Sequence, residues 1–274
     1  WAIGGLLIYL AIKKEMEPSL LLPMGFGAIL INLPNSGAQH VIDVLFKFGI
    51  SNDFGELMPL VLFIGIGAMI DFTPLLTNPK LMIFGAAAQF GIFFTFCLAS
   101  LLGFDIKDAA SIGIIGAADG PTSIFVATAL NSKYIGAIIV AAYSYMALVP
   151  IVQPPVIKLL TTKKERKIRM KYEGKSVSKR TRILFPIVVS VIAGVVAPQS
   201  AVLIGFLMFG NLIRECGVLD SLSETAQKVL ANLITILLGI TVARNMNADA
   251  FLTIETALIL GLGLVAFIFD TAGG

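Results

Sequence analysis

Charge is what this chain has least of. Only 14% of its 274 residues are Asp, Glu, Lys or Arg, against 57% hydrophobic, where an ordinary soluble protein carries about 25% charged residues. At a mean hydropathy of +0.92 a water-soluble globule would lack the polar side chains to cover its surface. A soluble enzyme, a nucleic-acid binder and a disordered scaffold all fit poorly. Histidine is nearly absent: His40 stands alone, which leaves almost no material for a histidine metal site or a histidine-driven triad. Cys97 and Cys216 lie in apolar surroundings about 120 residues apart. They read as small core hydrophobes rather than a disulfide or metal pair. Period-2 alternation is missing too, which argues against a β-barrel.

What the sequence has in abundance is long apolar stretches. They fall at roughly 1–12, 18–33, 57–76, 81–103, 109–130, 134–157, 183–197, 200–213, 228–243 and 252–272. Several reach the about 20 residues needed to cross a bilayer; 18–33 and 183–197 are shorter and would be tilted, half-spanning or joined to a neighbour. The 26 glycines and 12 prolines suit this solvent, because neighbouring helices re-satisfy a broken backbone. The expected fold is an all-α polytopic membrane protein, a helical bundle.

Residues 158–182 hold eleven of the twenty Lys and Arg against two acids, a net of +9 that leaves the rest of the chain at −6. Lys and Arg stay on the cytoplasmic side, so this run reads as the one sizeable cytoplasmic loop, a topology determinant in contact with anionic lipid or a docking surface for a cytosolic partner. Lys13 and Lys14 suggest the same side for the end of the first stretch. An even number of crossings must then separate them, yet five stretches intervene. One therefore enters without crossing or is broken, and 109–130 is the best suspect because it contains IGAADGPTS. The loop also divides the chain into a first transmembrane half at 1–157 and a partial second half at 183–274, the layout of transporters built from repeats with broken helices meeting at mid-membrane.

Asp119 is the most informative residue. A carboxylate inside a span costs about 2.5 to 3.5 kcal/mol and is usually functional. It stands between Ala118 and the pair Gly120–Pro121, close to Gly116, where freed carbonyls could join the carboxylate around a hard cation. Thr122 and Ser123 add oxygen ligands or a cap, and the helix beginning near Pro121 points its amides back at the same place. The plainer reading is a polar turn with Asp119 capping the second helix. Tyr143, Ser144 and Tyr145 form a second polar cluster, in AAYSYMALVPIVQPP. A phenol at mid-depth needs a partner, which Asp119 could supply, and residues two apart diverge by about 200° on a helix, so only one tyrosine readily faces that way. Asp71, Asn211, Arg214, Glu215, Arg244 and Asn245 complete the polar inventory, with helix termini and interfacial pairing as the structural explanations.

SIGIIGAADGPTSIF, AAYSYMALVPIVQPPVIKLLTTKKERKIRM, FGNLIRECGV and the closing FDTAGG resemble the β subunit of the sodium-pumping, biotin-dependent decarboxylases, over nearly the whole chain. The resemblance implies two inverted repeats with interrupted (broken or re-entrant) helices in a bacterial inner membrane. It also implies decarboxylation of carboxybiotin coupled to Na⁺ export and proton uptake. Asp119 would bind the cation, with Gly116, Thr122 and Ser123 around it; Tyr145, with Tyr143 beside it, would handle protons. The carboxybiotin would arrive on a partner, a carboxyltransferase and biotin-carrier α subunit, alongside a small γ or δ membrane subunit. Family members continue past FDTAGG into a second Gly- and Ser-rich broken helix, so the second repeat here is expected to be truncated. Two rival readings use the same residues differently: a secondary cation/proton or organic-anion transporter needs no biotin-bearing partner, and a membrane anchor needs no Asp119.

Overall fold

The computed structural model describes residues 1–51, 56–169 and 176–274, apart from the side chains of residues 249 and 250. Among these residues every regular element is helical. Four helical stretches are long and apolar enough to cross a bilayer: Pro79–Leu101, Ile135–Leu160, Asp220–Met246 and Ile254–Gly273. Pro18–Ile31 and Leu57–Met69 are apolar but shorter. Large apolar side chains face outward on these helices, Phe93 being 67% exposed, and on a protein whose surroundings are lipid that is the solvated face.

The chain forms two compact units that interleave in sequence. The described residues of Trp1–Glu56, Ile83–Arg169 and Ile236–Gly274 make the first; those of Leu57–Met82 and Met170–Thr235 make the second. This grouping by contact follows a different line from the two halves either side of the basic run.

In the second unit the Leu57–Met69 helix packs on Ala201–Cys216 through glycines. A β-carbon at Gly67 would overlap the carbonyl of Leu207, and one at Gly210 the carbonyl of Ile64. Small residues at such crossings let backbones touch, which is where helix association in lipid gains its contact energy. The polar residues of FGNLIRECG then do a specific job. Asn211, 1% exposed, donates to the carbonyls of Gly67 at 3.3 Å and Ile70 at 2.9 Å, and Arg214 donates to Met69 at 2.9 Å. Together they satisfy carbonyls that the end of a helix leaves without donors. Arg214 and Arg182 also flank Glu215, at 3.7 and 3.3 Å.

The first unit is organised around the Ile135–Leu160 helix. Residues 137–143 are buried without interruption, and burial has ended by Pro150. Pro150, Pro154 and Pro155 all fall in the second part of the helix. The core here joins Ala137, Ile138, Ala141, Ala142 and Tyr145 to Ile112 and Ile115 and to Ile259 and Leu262 of the Ile254–Gly273 helix. Asp108, 3% exposed, secures one end of the unit by accepting from Ser132 Oγ at 2.7 Å and Lys133 N at 2.9 Å.

The basic run is partly helix. Lys158 lies within Ile135–Leu160, Ser178 caps Lys179–Val196 by accepting from Thr181 N, and residues 170–175 lie outside the described residues. Arg166 folds back to donate to the carbonyls of Lys158 and Thr161. Cys97 is exposed rather than part of the core, and both cysteines are free; its helix is apolar all round, so sequence alone gives no clue to the inward face.

Candidate functional site: a broken helix at the floor of a cavity

The 109–130 stretch is interrupted. Ile106–Gly113 is α-helical, Ile114–Ala117 tightens to a 3-10 turn, and Ala118 takes the left-handed conformation at φ 52°. Asp119 is extended, at φ −122° and ψ 101°, and a new helix starts at Gly120 with Pro121 in its first turn. A left-handed alanine is costly, and Pro121 has no amide to donate. The break is thus written into five consecutive residues.

Within the hairpin Thr122 Oγ1 donates to Asp119 Oδ2 at 2.5 Å, and Ser123 Oγ donates to the Asp119 carbonyl at 2.9 Å. Both hydroxyls named from the sequence therefore gather on Asp119, one at its carboxylate and the other at its backbone. Gly116 does something else: a β-carbon there would stand 3.0 Å from Ala266 Cβ and 3.0 Å from Asp270 Oδ2, so it provides close approach to the Ile254–Gly273 helix.

The tyrosines divide as helical geometry requires. Tyr143 is the one brought to the hairpin. Its ring covers Gly120, the residue after Asp119, where a β-carbon would come within 2.6 Å of two ring carbons. Tyr143 is 1% exposed, and no described group hydrogen-bonds its hydroxyl. Tyr145 turns away, packing on Gly263 and donating to the carbonyl of Leu260. Of the two tyrosines expected at the site, Tyr143 is the one that lies against the hairpin, and Tyr145 packs toward the Ile254–Gly273 helix. Two positions on a helix point about 200° apart, and the glycines at 120 and 263 decide which tyrosine lies where.

Two cavities approach this point from opposite ends of the Ile135–Leu160 helix. The larger, about 910 Å³, is walled by Val149, Gln153 and Thr161 and by Asp270, and it reaches Gly116–Ala118. The other, about 570 Å³, is lined by Asp43, Lys133, Gly136, Ala137, Arg244 and Asn245. Arg244 Nε is 2.5 Å from Asp43 Oδ1 there, and its guanidinium lies 4.5 Å over the Phe46 ring. Tyr143 is six residues from Ala137 and six from Val149, about 9 Å of helix each way. The larger cavity reaches the hairpin at Gly116–Ala118, whereas no residue of the hairpin lines the smaller one.

Asp270 is the residue that sequence reasoning missed. It is 8% exposed, lines the larger cavity and accepts from Ile92 N at 2.8 Å. Its only signal in the sequence was a carboxylate within FIFDTAGG. Among the described residues no three His, Cys, Asp or Glu side chains converge, so a cation held here would rest on one carboxylate and neutral oxygens, a set suited to a hard ion.

Helical spans, a carboxylate at a helix break and a cavity leading to it define an ion-translocating membrane subunit. The family model described as Na⁺-transporting oxaloacetate decarboxylase beta subunit matches residues 1–274, and the chain belongs to that family. It is similar to the methylmalonyl-CoA decarboxylase subunit beta of Propionigenium modestum, 49% identical over 97% of this chain and 73% of the relative. It is also similar to the glutaconyl-CoA decarboxylase subunit beta of Acidaminococcus fermentans, at 49% over 99% and 72%, and to the oxaloacetate decarboxylase beta chain of Klebsiella pneumoniae, at 42% over 98% and 76%. The protein is thus a membrane-embedded β subunit of a Na⁺-transporting decarboxylase, a component of a multi-subunit complex.

Proposed function

We propose that Asp119 is the site at which Na⁺ and H⁺ compete, and that this competition couples decarboxylation to Na⁺ export. The observation that carries the proposal is the one-sided access to the hairpin. The large cavity opens along Ile157–Thr161, beside the basic run, and on the positive-inside rule that end is cytoplasmic. Na⁺ then enters from the cytoplasm and meets the Asp119 carboxylate with the Thr122 hydroxyl already on it. A buried carboxylate carries one cation or one proton, and occupancy by either excludes the other. Tyr143, whose hydroxyl no described group hydrogen-bonds, lies against Gly120 next to Asp119, and it passes a proton inward.

Substrate arrives as carboxybiotin on a carrier belonging to the partner carboxyltransferase α subunit, with a small γ or δ subunit completing the membrane complex. A cavity of this volume admits a small heterocyclic headgroup, and Gln89 and Gln153 in its wall offer amides to a ureido ring. Loss of CO₂ from the carboxylated ureido nitrogen leaves negative charge there that a proton must neutralise. The proton displaced from Asp119 by incoming Na⁺ serves that end. Which acid is decarboxylated is set by the partner, in keeping with relatives named for three different acids.

The test is Asp119→Asn in the complete complex, which keeps size and removes charge. Na⁺-dependent decarboxylation should collapse. Near-normal Na⁺ transport by this variant would refute the assignment.

A further inference from the structure

Asp270 joins two interruptions of the helical backbone that lie far apart in sequence. The first is at the start of the Phe90–Leu101 helix, which follows Met82–Ala88 after a break at Gln89. Here Asp270 accepts from Ile92 N at 2.8 Å and also from the backbone of Gly91. A β-carbon at Gly91 would overlap Asp270 N and Oδ1, so only glycine lets the two backbones meet. The second interruption is the Asp119 hairpin. The other carboxylate oxygen, Oδ2, is 3.0 Å from where a β-carbon of Gly116 would stand, three residues before Asp119. One side chain thus takes up an amide that a helix start leaves without a partner and, with its second oxygen, lies against Gly116 of the hairpin, where a larger residue would crowd it.

We infer that Asp270 is a positioning residue for the cation site: by holding the Phe90–Leu101 helix start and lying against Gly116, it fixes where the 116–119 turn, and with it the Asp119 carboxylate, stands. Its described hydrogen bonds run to backbone amides and not to Asp119, and no ion pair reaches it among the described residues. Acceptor oxygens in the right place are therefore what the site needs from this residue, and formal charge is not. The inference rests on the reading of Asp119 given above.

The experiment measures the Na⁺ concentration for half-maximal decarboxylation, separately from kcat at saturating Na⁺, in complete complexes carrying Asp270→Ala, Asp270→Asn or Asp270→Glu. Groups that orient a metal ligand typically change affinity by about 10- to 100-fold when removed. Asp270→Ala should raise the half-saturating Na⁺ at least about tenfold while kcat changes less. Asp270→Asn keeps an acceptor at the same length and should return the value to within about threefold of wild type. Asp270→Glu keeps the charge but moves it by about 1.5 Å, one carbon–carbon bond, and should behave worse than Asn. An Asp270→Ala complex with unaltered Na⁺ dependence overturns the inference, and so does Asn as impaired as Ala. Where the Ala complex does not assemble, the Asn and Glu variants decide: Glu equal to or better than Asn overturns it. Asp119→Asn, measured alongside, separates the two readings. Normal Na⁺ dependence in that variant sinks the Asp119 assignment, whereas its loss together with an unshifted Asp270→Ala sinks only the role given to Asp270.

Discussion

The Tyr143 ring lies on the backbone of Gly120, with no room for even one added carbon between them. The phenol is thereby fixed next to the Asp119 hairpin, in the first half of the long helix. Its hydroxyl is buried with no described hydrogen-bond partner, a condition that costs about 1 to 3 kcal/mol and is tolerated where the group serves another purpose.

Tyr143→Phe and Tyr145→Phe should therefore differ in kind. Removing the Tyr143 hydroxyl should leave the thermal midpoint of the purified complex unlowered, yet reduce Na⁺ transported per decarboxylation severalfold. Removing that of Tyr145 breaks its bond to the Leu260 carbonyl, costing about 1 kcal/mol, and should leave the coupling ratio near normal. Equal coupling defects would contradict the placement of the two rings.

Gly120→Ala forces a methyl to within 2.6 Å of the Tyr143 ring. Overpacking of this kind costs about 1 to 3 kcal/mol, and the ring must leave the hairpin to relieve it. Tyr143→Leu should relieve the clash and recover stability without recovering transport. A thermal melt and a ²²Na⁺ uptake assay on the single and double variants measure the two effects.

Competition at Asp119 has a direct signature in pH. Protonation removes the charge that holds Na⁺, so the half-saturating Na⁺ concentration should rise as pH falls and level off at higher pH, where the carboxylate is fully ionised. Saturating Na⁺ should largely restore turnover on the acid side. An Na⁺ half-saturation constant independent of pH would show that the two ions do not share this group.

In the second unit, Asn211→Ala should destabilise by about 1 to 3 kcal/mol, because the carbonyls of Gly67 and Ile70 lose their side-chain donor in a setting without water. The Na⁺ dependence of whatever complex assembles should be unchanged. A shift in Na⁺ affinity would give Asn211 a part that its contacts do not.

The hairpin was legible because it is local. Gly116, Asp119, Gly120 and Pro121 within six residues announce a break whatever lies around them, and the long apolar runs announced the bilayer. The choice between Tyr143 and Tyr145 was not legible. The Ile135–Leu160 helix is apolar on every side, so periodicity carries no phase, and the deciding contacts are made with Gly120 and with Gly263, more than a hundred positions on. Asp270 was hidden by distance in the same way, its amide partner Ile92 being 178 residues away. The interleaving of the two units has the same cause: contacts group helices by packing, whereas the basic run divides the chain by order.

Pro150, Pro154 and Pro155 carry one last implication. A proline supplies no amide to the carbonyl four residues earlier, so the oxygens of Met146, Pro150 and Ile151 are left without their usual ladder donors. The opposite end, from Ile135 to Tyr145, contains no proline and has no carbonyl whose ladder donor is one. One rod thus leaves acceptors unspent toward its Leu160 end and keeps its ladder whole toward Ile135, an asymmetry written into the sequence before anything moves.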